Sequence, residues 1–397
     1  MKSDDKRAIR SQGGNSMIEI RKVNTNEMEQ AVRLSDETFR DAEQVSMLKA
    51  FPAAFDARLK QSLGAFEGQE LVAFMGLVPS VIRIEAAKLS VLSLGSVCTH
   101  PNYRGMEIAS NMLHEVLAQA DRIGSSMLLV SGDRSLYMRN GCHYFGRGTR
   151  FILSASHEKL PSSSASPGIA IRRIGSEDWF RLHDTASKRT ARYEQGVTEL
   201  AGLIDSEAIA SCCHMQHAVF AAFESDCIAA YAVIAVPKQE ADVKGETPFV
   251  VEWGGNAEAL ASVLHHVLRE QKLDCLEVPV MWYETKLLSV LAEFPNKKMR
   301  NHGTVHIVNP ERLYSELLPY LSEKAPAAAS RLSLRRSSDG GVILMMDGEE
   351  TAILNGEELV ALLFDPEAEI NVPKPLEDLL GKLFPVPFPH AGGLNFV

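Results

Sequence analysis

The chain has 397 residues, of which 45% are hydrophobic and 23% are charged, and its formal net charge is −10. This length predicts two or three domains, each large enough to bury an apolar core. The chain has 41 basic and 51 acidic residues. The absence of a long Lys/Arg run argues against a nucleic-acid-binding protein, and the acidic excess favours a cationic substrate.

The first segment, residues 1–16, is charged and polar and lacks the apolar stretch of a signal peptide. It predicts a disordered leader, and the structured pattern starts at Met17. No later segment reaches the roughly 18 consecutive apolar residues of a membrane helix, so we expect a cytoplasmic protein without membrane contacts. The six cysteines show no Cys-x-x-Cys spacing and lie mostly in apolar surroundings, which predicts reduced core thiols.

The segment 17–153 combines strand patterns with one amphipathic helix. From Ile108 the apolar residues follow a 3.6-residue period that ends before Gly124, which predicts a helix with a glycine C-cap. Four apolar or alternating runs are typical of β-strands: 71–79, 81–85, 89–97 and 127–130. The local order is therefore strand, loop, helix, strand.

Residues 154–168 are rich in Ser, Pro and Gly and predict a solvated linker. Over 169–302 the order of strand and helix patterns returns, which predicts a second copy of the first architecture. Its strands and helix are expected at 227–236, 249–253, 257–270 and 275–280. In place of the loop this copy has Trp253-Gly-Gly-Asn256, which lacks an arginine and predicts a tight turn with Asn256 capping the helix.

The third unit, 303–397, predicts a small α+β domain that begins with a strand at 305–308. Asn355 and Glu358, three residues apart, form a plausible capping box for a helix through Phe364.

The end of the chain, 383–397, contains three prolines and two adjacent glycines, which exclude a continuing helix. It predicts an extended tail. A frayed terminus is the alternative, but a solvated tail has no need of the apolar residues Leu383, Phe384, Phe388, Leu394 and Phe396. We therefore expect the tail to dock on the protein.

The segment 97–109 lies between a predicted strand and the predicted helix of the first domain. Free backbone N–H groups at a helix start, together with the helix dipole, bind an anion such as a pyrophosphate. Arg104 can add a charge-assisted contact. If the sheet splays at 97–99, its unpaired backbone can hydrogen-bond an amide-containing arm such as the pantetheine of coenzyme A. Taken alone, such a loop is more typical of an ordinary turn.

This strand, the loop His-Pro-Asn-Tyr-Arg-Gly and the helix resemble the acetyl-CoA signature of GNAT N-acetyltransferases, R/Q-x-x-G-x-G/A, with Arg104 and Ala109 at its ends. From Met17 onward the chain resembles the Eis (enhanced intracellular survival) family. The resemblance implies an α+β protein with two GNAT-like mixed-sheet α/β domains, the second degenerate, and a sterol-carrier-like domain whose tail docks into the first. It implies that acetyl-CoA contacts Val97, Cys98, Thr99, Arg104, Gly105, Met106, Glu107, Ile108, Ala109 and Ser110.

One position departs from the signature, because Glu107 stands where the family has its third fixed residue, a glycine. A glycine lets phosphate approach the backbone, whereas a carboxylate adds bulk and negative charge. Like unit charges 4 Å apart repel by roughly 4 kcal/mol at an effective dielectric of about 20, and by about 1 kcal/mol in water. Either the Glu107 side chain points to solvent while its N–H serves the ligand, or it favours the helix dipole in a protein that does not bind the cofactor.

The resemblance also implies two proton-transfer groups. Tyr137 stands at the first tyrosine of the family's YxxFGY segment, the general acid for the departing thiolate, although Asn140 replaces the phenylalanine. The α-carboxylate of Val397 is implied as the base, and its low reference pKa of about 3.3 to 3.7 requires proximity, burial or a water relay. The alternatives are a packing role for Tyr137 and a base at His100 or His143.

These features predict direct transfer of an acetyl group from acetyl-CoA to a primary amine, with activity that rises with pH until Tyr137 ionises. Cys98 has no base partner, so no acyl-enzyme is expected. His265 and His266 lack a further ligand at metal-binding spacing, so no metal site is expected. The resemblance implies aminoglycoside-like, polyamine-like or lysine acceptors and homo-oligomers. The alternative function is a catalytically silent ligand-binding or sensor protein, which Glu107 favours.

Overall fold

The computed structural model describes residues 7–10, 17–154, 169–238 and 246–397. The strands are β1 (Arg7–Arg10), β2 (Met17–Lys22), β3 (Leu63–Glu67), β4 (Glu70–Ile84), β5 (Ala87–Thr99), β6 (Met127–Val130), β7 (Arg147–Ser154), β8 (Ile169–Arg173), β9 (Ala191–Tyr193), β10 (Met215–Glu224), β11 (Cys227–Pro237), β12 (Phe249–Gly255), β13 (Cys275–Met281), β14 (Asn296–Arg300), β15 (Thr304–Ile307), β16 (Leu332–Arg336), β17 (Val342–Met346) and β18 (Glu349–Leu354).

The α-helices are α1 (Met28–Phe39), α2 (Met47–Ala50), α3 (Ile108–Arg122), α4 (Ser135–Met138), α5 (Trp179–Ala186), α6 (Val197–Ser206), α7 (Ala208–Cys212), α8 (Ala257–Glu270), α9 (Thr285–Val290), α10 (Pro310–Lys324), α11 (Pro326–Ala329), α12 (Gly356–Phe364) and α13 (Lys374–Leu383). Among the described residues, no helix is both long enough and apolar enough to cross a membrane.

The first sheet has the strand order β1-β2-β3-β4-β5-β6-β15, and the short β9 pairs with the end of β4. The predicted strands at 71–79 and 81–85 form the single strand β4. Strands β5 and β6 run parallel. A parallel pair needs a crossover connection, which α3 supplies. The apolar stripe of α3 buries Met112, Leu113 and Val116 in the core with β5 and β6, so the predicted strand, loop, helix, strand order is confirmed.

The prediction that residues 1–16 form a disordered leader is wrong for residues 7–10. Residues 7–10 form β1, which pairs antiparallel with β2. The free N–H and C=O groups of an edge strand can pair with a neighbouring segment whatever that segment's apolar content, so composition alone missed this strand. The rest of the predicted leader, 1–6 and 11–16, and residues 155–168 of the predicted linker lie outside the described residues.

The second sheet has the strand order β14-β7-β13-β12-β11-β10-β8. It includes β7, whose residues fall almost entirely in the predicted first domain but which pairs with β13 and β14. Conversely, β15 was expected in the third unit but pairs with β6 in the first sheet. The predicted boundaries at 153 and 302 therefore do not separate the two sheets. A residue pattern identifies a strand and its buried face, but it does not identify the strand's partner.

The second sheet otherwise repeats the first, because α8 connects the parallel strands β12 and β13. The side chain of Asn256 accepts a hydrogen bond from the Ala259 N–H at 2.9 Å, which confirms the predicted cap. Gly255 has a positive φ of 99°, and a Cβ there would lie 2.2 Å from the Ala229 carbonyl oxygen. Trp253, Gly254 and Gly255 belong to β12 and pair with β11, so the predicted tight turn is wrong for these residues, and β12 leads into α8 through Asn256.

The third unit contains the antiparallel sheet β16-β17-β18. Its helices α10, α12 and α13 pack against this sheet and the first. The capping box of Asn355 and Glu358 is present, and α12 ends at Phe364 as predicted. The sterol-carrier-like character of this unit stays a prediction. The fold class, a mixed α/β protein with two sheet domains and a smaller unit, is confirmed.

The tail after α13 is extended and docked, as expected. Phe388 is buried between Phe145 and Phe364, with ring centroids 5.4 and 5.2 Å away. Farther along, Asn301 holds the tail in place: its Nδ2 donates to the Pro389 carbonyl at 2.9 Å and its Oδ1 accepts from the Ala391 N–H at 2.8 Å. The tail therefore passes from the third unit toward the first sheet.

The cysteines agree only in part with the prediction. All six are free. Cys98 and Cys142 are buried, but Cys212 and Cys227 are exposed, so the expectation of core thiols is wrong for these two. Cys212 ends α7 and Cys227 begins β11, and at the end of an element an apolar neighbourhood in sequence does not ensure burial.

Candidate active site

The parallel strands β5 and β6 separate at one end. Their pairing runs from Val91↔Met127 to Leu94↔Val130, and β6 ends there, whereas β5 continues to Thr99. Within the described part of the chain, no strand pairs with 95–99 on that side. The sheet therefore splays next to 97–99, and the free main chain of β5 can hydrogen-bond an extended ligand.

A β-bulge in β5 marks the start of this separation. Phe74 of β4 pairs with Cys98 and Gly76 pairs with Gly95, so the register shifts at Ser96 and Val97. Ser96 has a positive φ of 51°, and its buried hydroxyl has no hydrogen-bond partner among the described residues. A bulge bends its strand and increases the twist, which turns β5 away from β6. The glycine within an apolar strand was the available sequence signal for this bulge.

The start of α3 leaves a row of free main-chain donors. The first intrahelical hydrogen bond runs from the Asn111 N–H to the Glu107 carbonyl at 3.0 Å. In the described structure, the N–H groups of 105–110 donate to no protein acceptor. The helix dipole adds partial positive charge at the same point, so this loop forms an anion site of the kind that binds a pyrophosphate.

Glu107 occupies the N-cap of α3 in the left-handed conformation, with φ 56° and ψ 13°. A side chain in this conformation costs roughly 1 to 2 kcal/mol, which glycine avoids. The family's glycine at this position therefore has a conformational reason as well as a steric one. The Glu107 side chain is exposed and makes no capping hydrogen bond, as the first of the two expected arrangements requires, and the role of its N–H toward a ligand stays a prediction.

The other loop residues organise the loop itself. The Arg104 Nε donates to the Thr99 carbonyl at 3.2 Å, so the exposed guanidinium links the loop to the end of β5. The Tyr103 hydroxyl donates to the Glu67 carboxylate, which raises the pKa of Tyr103 to about 12. The His100 ring accepts a main-chain N–H two residues later, so it caps the turn and is poorly placed as a base.

Tyr137 lies in α4, directly after the end of β6. Its side chain is 6% exposed and packs in the same apolar core as Leu94 and Val130. Its ring also comes within 3.3 Å of the Cβ position of Gly132. Burial raises the pKa of Tyr137 to about 12, with the positive charge of Arg134 opposing the shift. The hydroxyl therefore stays protonated at neutral pH, as a proton donor requires.

The end of the tail reaches the point where β5 and β6 separate. The carboxyl carbon and oxygen of Val397 lie 2.3 and 2.2 Å from the Cβ position of Gly95, so only a glycine fits there. The Phe396 ring packs against Phe51 and His302, with centroids 6.0 and 5.1 Å away. A small cavity is lined both by the strand ends and by the tail: Ser93, Leu94, Leu129, Val130, Ser131, Asn395, Phe396 and Val397.

Cys98 and His143 contribute less to the candidate site than their positions in the sequence suggested. The Cys98 thiol is buried on the face of β5 that packs against α1, 3.6 Å from the Ser35 hydroxyl. Burial raises the pKa of this thiol to about 11. Cys98 thus offers only its main chain to a ligand. His143 lies with its ring against Gly356 of the third unit, and burial lowers its pKa, so the structure does not place it beside Val397. The described residues contain no group of three or more potential metal ligands.

Comparison with known proteins identifies this arrangement. Residues 19–145 match the family model of the acetyltransferase (GNAT) domain. A GCN5-related N-acetyltransferase from Kribbella flavida is similar over 96% of this chain and 98% of its own, with a TM-score of 0.62 and 15% identity. The chain has a GNAT-like fold. A GCN5-related N-acetyltransferase from Anabaena variabilis covers 94% of this chain and 98% of its own, with a TM-score of 0.64 and 12% identity.

Eis1 from Mycobacterium abscessus is also similar, over 75% of each chain, with a TM-score of 0.53 and 14% identity. No curated protein matches the sequence. The first two structures span nearly the whole chain, so the similarity in fold extends beyond the matched domain to the second sheet and the third unit. At these identities the likeness concerns the fold, and the chemistry must be argued from this chain's own residues.

The conformation of Glu107 leads to a testable result. We expect Glu107→Gly to tighten acetyl-CoA binding by about fivefold, because it removes a negative charge worth about 1 kcal/mol at 4 Å in water. It should also stabilise the fold, because glycine adopts the left-handed conformation without strain. Calorimetric titration gives the binding change, and thermal unfolding gives the stability change.

Glu107→Gln is the matched control, because it removes the charge but keeps a side chain in the left-handed conformation. It should reproduce the gain in binding without the gain in stability. If neither variant binds acetyl-CoA more tightly than the wild-type protein, the Glu107 carboxylate does not oppose the cofactor.

Proposed function

We propose that this protein is an acetyl-CoA-dependent N-acetyltransferase that acts on a primary amine by direct transfer. One observation carries the proposal: the free N–H groups of 105–110 lie beside the open edge of β5. An anion site next to an unpaired strand fits the two polar parts of coenzyme A, its pyrophosphate and its amide-containing arm.

The chain provides separate groups for the two parts of the cofactor. The main chain of Val97, Cys98 and Thr99 would hold the pantetheine arm. The loop and the first turn of α3 would hold the pyrophosphate, through Arg104, Gly105, Met106, Glu107, Ile108, Ala109 and Ser110. Acetyl-CoA supplies the activated acetyl thioester. The unpaired main chain of β5 would hold the arm beside the gap between β5 and β6.

The two proposed proton-transfer groups are the Tyr137 hydroxyl, in the core with Leu94 and Val130, and the Val397 carboxylate. The hydroxyl of Tyr137 would protonate the departing thiolate, and its raised pKa keeps it in the donor form. With the chain ending at Val397, the carboxylate beside Gly95 would take a proton from the attacking amine. The Val397 side chain packs in an apolar cluster with Phe51 and Phe396, which holds the carboxylate in this position.

The pH dependence of activity follows from the pKa shifts of the tail and of Tyr137. Burial lowers the pKa of His390 to about 3 and also lowers that of His302, so both rings are neutral when the tail is docked. Docking is then fully stable above the unfolded value near 6.5 and weakens as pH falls below it. We expect kcat/KM to rise from pH 5 to 8 and to show no decline up to pH 10, because Tyr137 ionises only near 12. A decline centred near pH 9 would contradict the assignment of Tyr137.

The proposal is tested by titrating the full-length protein with acetyl-CoA in a calorimeter and then measuring coenzyme A release with a panel of primary amines.

Arg104→Ala should weaken acetyl-CoA binding about tenfold, because a charged hydrogen-bond donor to phosphate is lost. Arg122→Ala, at the other end of the same helix, should not change the binding. Absence of binding at millimolar acetyl-CoA would overturn the proposal, and binding without any acetylated product would identify a silent ligand-binding protein.

A further inference from the structure

A second cavity adjoins the gap between β5 and β6. It has a volume of about 290 Å³ and lies between the first sheet, the second domain and the tail. Tyr193 and Asn395 line both this cavity and the small one at Val397. We name this larger cavity the acceptor pocket. An acceptor amine in it would lie close to the small cavity that Val397 lines.

The acceptor pocket is rich in charge. Arg83, Arg189, Arg192, Glu194 and Glu252 line it, so three positive charges face two negative ones. Arg83 pairs with Glu194 at 2.8 Å, and Arg189 pairs with Glu252. In the described structure Arg192 has no carboxylate within ion-pair distance, and its Nη1 donates to the Arg189 carbonyl at 2.6 Å. The pocket thus has one positive charge in excess.

This excess is built into the sheet. Arg192 on β9 lies directly opposite Arg83 on β4, and like charges in that position are destabilising. Burial and then the charge of Arg83 lower the pKa of Arg192, although a guanidinium remains protonated. The Nε of Arg189 is buried and has no hydrogen-bond acceptor among the described residues. An anion in this pocket would relieve the repulsion and provide acceptors for free donors.

We infer that the acceptor is a small primary amine that also carries a carboxylate, and that Arg192 binds this carboxylate. The inference rests on the proposed function and names the substrate class for it. A guanidinium presents two parallel N–H donors that match the two oxygens of a carboxylate. The pocket volume, near the lower limit for ligand pockets, fits a molecule of amino-acid size. A polycationic amine would meet uncompensated positive charge in this pocket.

The test compares 6-aminohexanoate with pentylamine, which has the same amine and methylene chain but no carboxylate. In the wild-type protein we expect kcat/KM to be about tenfold or more higher for 6-aminohexanoate, because one hydrogen-bonded charged group typically discriminates between substrates by this factor. Arg192→Met should reduce this preference to about threefold or less, and Arg192→Lys should restore part of it. Arg331→Met, which removes an exposed arginine of the third unit, is the control and should keep the preference.

Calorimetry with glutarate separates this inference from the proposed function, because glutarate has no amine to acetylate. Binding of glutarate to the wild-type protein that is lost in Arg192→Met supports the carboxylate site even if no amine is acetylated. Circular dichroism and thermal unfolding verify that each variant is folded. Equal kcat/KM for the two amines, or equal glutarate binding by the wild-type protein and Arg192→Met, would overturn the inference.

Discussion

Deleting Phe396 and Val397 is expected to lower kcat by about 100-fold or more, the typical contribution of a positioned general base. The fold should survive, because the tail is held upstream by Asn301 and by the Leu394 N–H, which donates to Glu252 at 3.3 Å. The dissociation constant of acetyl-CoA should change little, because its proposed contacts lie on β5 and α3. Steady-state kinetics and calorimetry measure the two quantities on the same preparation.

Two further changes distinguish the carboxylate from the side chains of the tail. One glycine added after Val397 keeps both side chains but moves the terminal carboxylate, so it should also lower kcat strongly. Gly95→Ala should act in the same direction, because the new methyl group would lie 2.2 Å from the Val397 oxygen and displace it. Wild-type kcat in the truncated protein would exclude the carboxylate as the base and leave the tail a packing role.

The local elements of the fold were predictable, because their signals lie within a few residues of one another. The apolar period of α3, the cap at Asn256 and the capping box at Asn355 each combine neighbouring positions, and all three are present. Strand pairing joins distant parts of the chain. Nothing in the composition of β7 or β15 identifies the sheet that each one joins, and the exchange of these strands was therefore missed.

The same distinction applies to the candidate site. The free N–H groups at the start of α3 follow from a strand, a loop and a helix in succession, so the anion site was predictable. Gly95 and Val397 lie in distant parts of the chain. From the sequence, only the family resemblance placed Val397 in the first domain, and nothing pointed to Gly95. The bulge at Ser96 and the left-handed Glu107 are backbone conformations that residue type only weakly indicates. The charge of Glu107 was therefore readable from the sequence, but the strain of its left-handed backbone was not.

The acceptor pocket was missed for a related reason. The net charge of −10 favoured a cationic substrate, but net charge averages over the whole surface. The arginines of the pocket lie on β4, on β9 and in the loop after α5, and only the fold brings them together. Local charge in a cavity affects a ligand more strongly than distant surface charge, because solvent screens the latter. Substrate preference should therefore follow Arg192 and not the overall charge.

Tyr137→Phe is expected to lower kcat by about 100-fold, the usual contribution of a general acid, with little change in the KM for acetyl-CoA. The phenylalanine ring keeps the packing in the core with Leu94 and Val130, so stability should change little. The loss should also be nearly constant from pH 6 to 10, because burial raises the pKa of Tyr137 to about 12 and the wild-type hydroxyl stays protonated throughout.

Tyr144→Phe is the matched control for this variant. Tyr144 follows α4 in the same connection between β6 and β7. Its hydroxyl donates to the exposed Asp133 carboxylate at 3.0 Å, away from the buried core that holds Tyr137. The same loss of one oxygen should therefore leave kcat within about twofold, since an exposed hydrogen bond contributes little. If Tyr137→Phe retains wild-type kcat, Tyr137 is a packing residue, and the departing thiolate takes its proton from another donor.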